Sequence, residues 1–201
     1  MSDNYLDKGR VNQKQETRRK ILDSAQDLLM SGKEINLENV AEGAGISRAT
    51  IYRYYSNAEV LAGEAGLDLS TKAPEEIVGP MRDRPMIEQV RTVQDYFNTL
   101  TLDHEQAFRT YLSSIIAAPE RAANRGARRI RTLDLVFEQS EIPKKQKQDL
   151  IHLLTMLMGI EPVIVAKDVA HLDNRKSKEL LAWGVELIME GLASRHGDSS
   201  F

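Results

Sequence analysis

Apolar residues recur at three- and four-residue intervals along almost the whole chain, the spacing of one helix face, and no segment alternates as a half-buried strand would. Ile21, Leu22, Ala25, Leu28 and Leu29 run up to a Ser31-Gly32 stop and predict a first helix over 16–30. Leu37, Val40, Ala41 and Ala44 predict a short second helix, with Asn36 as its N-cap and Gly45 supplying the left-handed residue that ends it. Ser47 then caps a third helix over 48–55, and a fourth starts near Ala58 and runs towards Ser70. Pro74, Gly79, Pro80 and Pro85 predict a broken loop with at most a short helix. Further helices are expected over 85–102, 104–117, 121–139, 144–170 and 174–194, separated by Pro119, Pro143 and Asp173-Asn174. The class is therefore all-α, with about nine helices.

The 144–170 segment is apolar nearly all round, so it must be buried on several sides, and Pro162 beside Gly159 should kink it or cap a break in it. In a domain this small, one of those sides is expected to be another subunit. Leu153, Leu157, Ile160 and Ile164 would then meet Leu181, Val185 and Ile188 of the last helix in a four-helix dimer bundle. Tyr96, Phe97, Phe108, Tyr111, Phe137, Met156 and Trp183 are candidates to line an effector cavity, although aromatics at helical spacing also serve as plain core. Arg125, Arg128, Arg129 and Arg131 do not share one helix face and read as a solvated surface, with an anionic effector as the alternative. The apolar run Leu150 to Ala166 is interrupted by His152, Glu161 and Pro162 and falls short of the roughly 18 to 20 residues of a membrane span. With no apolar stretch behind the charged Met1 to Arg10 segment, a cytoplasmic protein without a membrane partner is expected.

Composition narrows the chemistry. Hydrophobic residues at 41% and charged residues at 28% describe an ordinary soluble chain, and the absence of cysteine removes disulfides, thiolate metal sites and thiol catalysis. A net charge of −3 and a pI near 5.9 argue globally against a nucleic-acid partner, but the charge is unevenly placed. Lys8, Arg10, Lys14, Arg18, Arg19 and Lys20 face only Glu16, a local +5 beside the first helix. In isolation such a run is a solvated face or a tail.

Helices two and three have the helix-turn-helix plan of two short helices joined by a tight turn. Ala41 is small where helix three crosses, Gly45 permits the turn, and Val40, Ile46 and Ile51 fill the space between. Arg48, Ala49, Thr50, Tyr52, Arg53 and Tyr54 are left for the outer face, and none is acidic. Standing directly before a helix-turn-helix, the basic run of residues 8–20 is expected to supply phosphate contacts or a minor-groove arm. Residues 17–25 (TRRKILDSA), 37–46 (LENVAEGAGI) and 47–55 (SRATIYRYY) resemble the DNA-binding region of TetR-family transcriptional regulators, over about a quarter of the chain.

The resemblance implies an N-terminal DNA-binding domain over 1–60, with Asn36 at the start of its positioning helix, and a helical effector-binding and dimerisation domain over 61–201. It implies a homodimer whose recognition helices, about 34 to 36 Å apart, enter successive major grooves of a palindromic double-stranded operator. Thr17, Arg18, Ser47 and Tyr52 match positions that touch phosphates, and Arg48, Ala49, Thr50 and Tyr54 match positions that approach base edges, as Arg48 can to guanine O6 and N7. Tyr55 matches a buried aromatic. Ala58 departs from the pattern, standing where the family commonly has a phosphate-binding lysine.

The expected function is a ligand-responsive repressor released by a small molecule. An activator of the same family, or a helical binding protein whose helix-turn-helix has lost DNA, are the alternatives. Enzyme readings find no support: Phe108 stands where HExxH would need its second histidine, and Gly45-Ile46-Ser47-Arg48-Ala49 lacks the strand and final glycine of a nucleophile elbow. No phosphate-binding glycine loop occurs and His104, His152, His171 and His196 show no metal spacing, so no metal or cofactor is expected.

Overall fold

The computed structural model describes residues 3–117 and 126–196. Its α-helices are α1 Asp3–Met30, α2 Leu37–Gly43, α3 Arg48–Tyr54, α4 Ala58–Ser70, α5 Pro74–Val78, α6 Met86–Asp103, α7 Glu105–Ala117, α8 Ala127–Val136, α9 Lys144–Thr155, α10 Ile160–Ile164 and α11 Asn174–His196. No strand occurs among the described residues, so the chain is all-α, with eleven such helices against about nine expected from apolar spacing. Two of the differences have local causes. Pro74 opens α5 at a position where its missing N–H costs nothing, and the expected 144–170 helix is divided at Gly159. α1 begins at Asp3 rather than near Glu16, because its first turns are polar and carry no apolar stripe to announce them. The start of the helix expected over 121–139, Pro119 and Arg125 included, and the tail beyond 196 lie outside the described residues.

Two compact units result. The first holds α1 to α4 and α7 from Ala107 onward. Ile21 and Ala25 of α1, Val40 and Ala41 of α2, Ile51 of α3 and Leu61 and Ala65 of α4 form its core, all buried. A boundary after residue 60 would therefore cut α4 away from the residues it packs with, and the first unit extends through Ser70 instead.

Helices α1 and α2 each close with a left-handed glycine just beyond their last turn. At the end of α1, Gly32 (φ +65°) lets its own N–H reach the Leu29 carbonyl at 3.1 Å and the Lys33 N–H reach Leu28 at 3.0 Å. At the end of α2, Gly45 (φ +66°) repeats the pattern: Gly45 N–H donates to Glu42 at 3.1 Å and Ile46 N–H to Ala41 at 3.0 Å. This paired closure satisfies carbonyls that a helix end leaves open. Asn36 Oδ1 accepts from the Asn39 N–H at 2.8 Å and Ser47 Oγ from the Thr50 N–H at 3.1 Å, so both short helices are capped by the residues expected.

The second unit is built on α6, which packs against α8, α10 and α11. Val90, Val93 and Phe97 of α6 meet Leu133 and Val136 of α8, Ile151 and Leu154 of α9 and Val185 and Met189 of α11 in one buried cluster. Polar groups pin the break between α9 and α10. Gly159 (φ +87°) donates its N–H to Asn98 Oδ1 at 2.9 Å, and Arg129 binds the Met158 carbonyl and both Glu161 oxygens, the latter at 3.0 Å. Arg129, with 14% of its side chain exposed, is thus an internal pin and not part of a solvated face.

Gly43, at the end of α2, has a role that apolar spacing does not announce. A methyl group there would collide with Ser24 Oγ of α1, which is itself buried and donates to the Val40 carbonyl at 3.1 Å. Gly43→Ala is expected to destabilise the protein by about 1–3 kcal/mol in chemical denaturation. The same substitution made in a Ser24→Ala background should cost little, and an equal cost in both backgrounds would contradict the contact.

Candidate nucleic-acid interface

Helix α3 fully buries only Ile51, with Thr50 and Tyr54 half-buried and its remaining residues exposed. Ser47, Arg48, Ala49, Tyr52 and Arg53 are exposed, Thr50 is half-buried, and Ser47 and Thr50 hydroxyls lie 2.8 Å apart. The outer face therefore carries two guanidinium groups, a phenol, hydroxyls and a methyl, which together can donate to phosphates and base edges and touch a thymine methyl. Tyr52 is 46% exposed.

One acidic group from outside α3 reaches this face. Glu38 Oε1 of α2 lies 2.5 Å from Arg48 Nη2 and accepts from the Tyr52 hydroxyl at 3.1 Å. Its carboxyl titrates below the usual carboxylate range, held there by its own backbone N–H, then by the Tyr52 hydroxyl and the Arg48 guanidinium. Two of the residues expected to meet DNA are thus gathered on one carboxylate. Glu38 is not among the residues expected from sequence: it lies one residue after the start of α2, and no periodicity rule connects it to residues on α3.

Three expected contacts have other roles. Arg18 is turned inward: it pairs with Glu64 of α4, stacks 5.8 Å from the Tyr55 ring centroid and exposes 18% of its side chain. Tyr55, 2% exposed as expected of a core aromatic, donates to the other Glu64 oxygen at 2.9 Å. Burial first, and the Glu64 charge second, keep the Tyr55 phenol protonated well above its ordinary range. Tyr111 of α7 adds a further interaction with both Arg18 and Tyr55. Arg18 therefore ties α1 to α4 and is withdrawn from the phosphate role. Tyr54 likewise is half-buried against the first core, its hydroxyl 3.4 Å from the Lys14 carbonyl of α1, so it does not join the exposed face of α3. The Asn36 carboxamide oxygen is used as the α2 cap.

Thr17 is half-buried, its hydroxyl on the Gln13 carbonyl at 2.9 Å. In the basic run of α1, Lys14, Arg19 and Lys20 are exposed, Lys20 pairing with Glu16 at 2.9 Å, whereas the side chains of Lys8 and Arg10 lie outside the described residues. The Tyr54 bond to Lys14 brings this part of α1 beside the end of α3.

The residues expected to line an effector cavity do not converge. Phe97 and Phe137 are buried in the second core, with Tyr96 edge-on to Phe97 at 5.1 Å, whereas Met156 and Trp183 are 68% and 55% exposed. Phe108 and Tyr111 fall in the first unit. The expected dimer set is redistributed as well. Ile160, Leu181 and Val185 are buried within the chain itself, Leu157 and Ile188 pack against the second core and Ile164 is half-buried, leaving Leu153 exposed. The outward stripe of α11 is instead Leu180, Trp183 and Leu187. No single helix among the described residues is long and apolar enough to cross a membrane.

Because Arg18 and Glu64 are both largely buried, a double-mutant cycle of Arg18→Ala and Glu64→Gln should return a coupling of about 1–3 kcal/mol in stability. Additive losses would contradict the internal role of Arg18. No protein-family model matches the chain, and no curated protein is significantly similar to it.

Proposed function

We propose that the protein is a cytoplasmic, sequence-specific DNA-binding regulator that acts as a homodimer and responds to a small molecule bound by its second unit. The observation that carries this reading is the outer face of α3. A seven-residue helix is held by a glycine turn, a serine cap and one buried isoleucine, and it shows Arg48, Ala49, Tyr52 and Arg53 to solvent. Apart from Ala49 the α3 residues on this face are polar or basic and none is acidic, Glu38 of α2 being the carboxylate that reaches it, and such a face has no use in a core and suits the major groove. The exposed basic positions of α1 beside it supply the non-specific attraction to phosphates.

Dimerisation is supported by the outward stripe of Leu180, Trp183 and Leu187, spaced i, i+3, i+7 on α11, with Leu153 and Met156 exposed at the end of α9. Large apolar groups at helical spacing on one surface mark an association site more often than a solvated one. In the dimer, two α3 helices would address successive major grooves, and an effector favouring a different spacing would lower DNA affinity by about 5- to 150-fold through a coupling of about 1–3 kcal/mol. Repression follows if the DNA site overlaps a promoter.

The Glu38 contact favours a second reading, a helical ligand-binding protein that no longer grips DNA, since a carboxylate now occupies Arg48 and Tyr52. Binding to duplex DNA from the protein's own promoter region separates the two. Arg48→Ala and Tyr52→Ala should each weaken it, the arginine by about 1–3 kcal/mol. Glu38→Gln should strengthen binding to unrelated duplex DNA, because it removes one negative charge facing the phosphates. Unchanged affinity in both alanine variants would overturn the assignment of this face.

A further inference from the structure

Within the second unit, α6 and α11 lie side by side in opposite directions. Arg91 pairs with Glu186 at 2.7 Å, and one turn further along α6 Asp95 pairs with Lys178 at 2.7 Å. Between these two ion pairs α11 presents only the methyl group of Ala182, and a cleft of about 360 Å³ remains. This volume sits at the small end of ligand pockets, which run from about 300 to 1,000 Å³.

Two buried amides line the cleft, Gln94 and Asn98, each 2% exposed. Gln94 Nε2 donates to the Leu181 carbonyl at 2.6 Å and to the Leu157 carbonyl at 3.4 Å, which fixes the amide, since only the nitrogen can face two carbonyls. Its Oε1 then accepts no hydrogen bond from any described residue. Asn98 accepts from Gly159 at Oδ1 and gives one N–H to Leu157 at 3.2 Å, leaving the second N–H unused among the described residues. Buried amide groups are rarely left incomplete in a folded protein. The two amides beside the cleft thus keep one acceptor and one donor that no described residue takes up.

The rim adds charge without net sign. Arg91, Asp95 and Lys178 line the cleft, Lys178 paired with Asp95 and bonded to the Thr99 hydroxyl at 2.8 Å, and Arg91 is matched by Glu186 just beyond the lining. Such a ring does not select a net anion or cation, and it favours a molecule with separated charges of both signs. An apolar molecule would leave both amides unsatisfied. We propose that this cleft binds a small zwitterion of the α-amino-acid class, its ammonium on Gln94 Oε1 and Asp95 and its carboxylate on the spare Asn98 N–H and Lys178. That such a ligand acts as the effector rests on the regulator reading above; that it binds does not.

The test is calorimetric titration of the full-length protein with the common α-amino acids one at a time, followed, for any binder, by its analogues lacking the amine or the carboxylate. At least one amino acid should bind with a dissociation constant at or below about 1 mM. Each truncated analogue should bind about tenfold or more weakly, since each forfeits a charge-assisted hydrogen bond. Ala182→Leu, which narrows the cleft between the two ion pairs, should weaken binding by about tenfold or more with the helical circular dichroism unchanged, and Asp95→Asn, at the exposed rim, should weaken it by about tenfold. Absence of any amino-acid binding, equal binding of a truncated analogue, or undiminished binding by both variants would overturn the proposal. Amino-acid binding that leaves DNA affinity unchanged would support the site and overturn only its role as effector.

Discussion

Ile51 is the one fully buried side chain of α3, and everything proposed for the outer face of that helix depends on it. Seven residues are too few to hold a helix in water, because nucleation costs more than so few hydrogen bonds return. The helix exists because Ile51 is sealed in a core with Ile21, Val40 and Leu61, while Ser47 closes one end and Tyr55 anchors the other. Burying an isoleucine contributes about 1.5–3 kcal/mol, which is comparable to the whole deficit of an isolated short helix. Gly45 sets the angle at which α3 arrives, since a residue with a side chain adopts its backbone only with strain.

The polar groups around this core divide into two kinds. Arg18, Glu64 and Tyr55 form an internal set, buried and mutually satisfied, that locks α1 to α4 behind α3. Glu38, Arg48 and Tyr52 form an external set, exposed and held by contacts that solvent or phosphate can replace. The first kind gives α3 a fixed platform. The second leaves its side chains free to exchange partners, which suits recognition, where an arginine must leave one acceptor for another.

The parts of the fold that rest on local rules were legible in the sequence. Both caps, the Gly45 turn and the all-helical class each follow from residues within a few positions of one another, and the buried Tyr55 from the family resemblance. What was not legible depends on residues far apart. Arg18 belongs to a basic run and reads as a phosphate contact until Glu64, 46 positions later, is found beside it. Arg129 reads as one solvated arginine among several until Glu161 and the Met158 carbonyl enclose it. Helix α11 is apolar on two faces, and spacing alone cannot tell the stripe that enters its own core, Leu181 and Val185, from the stripe left outside, Trp183 and Leu187. The cleft beside Gln94 and Asn98 is hidden for a related reason: its open positions are on amides, whereas apolar spacing brings forward only aromatic and aliphatic side chains.

An acidic chain and the anionic partner proposed for it are reconciled by where the charge lies. The first 57 residues carry a net +1 and the remainder −4, so the −3 of the whole says little about the surface around α3. The most direct measurement is the affinity for duplex DNA from the protein's own promoter region as a function of salt. If α3 and the exposed basic residues of α1 meet phosphates, log affinity falls linearly with log salt, by about 0.9 for each phosphate neutralised. A dimer with several such contacts on each half gives a steep line, and absence of binding at the lowest salt, or binding indifferent to salt, would contradict a DNA-binding role for this face.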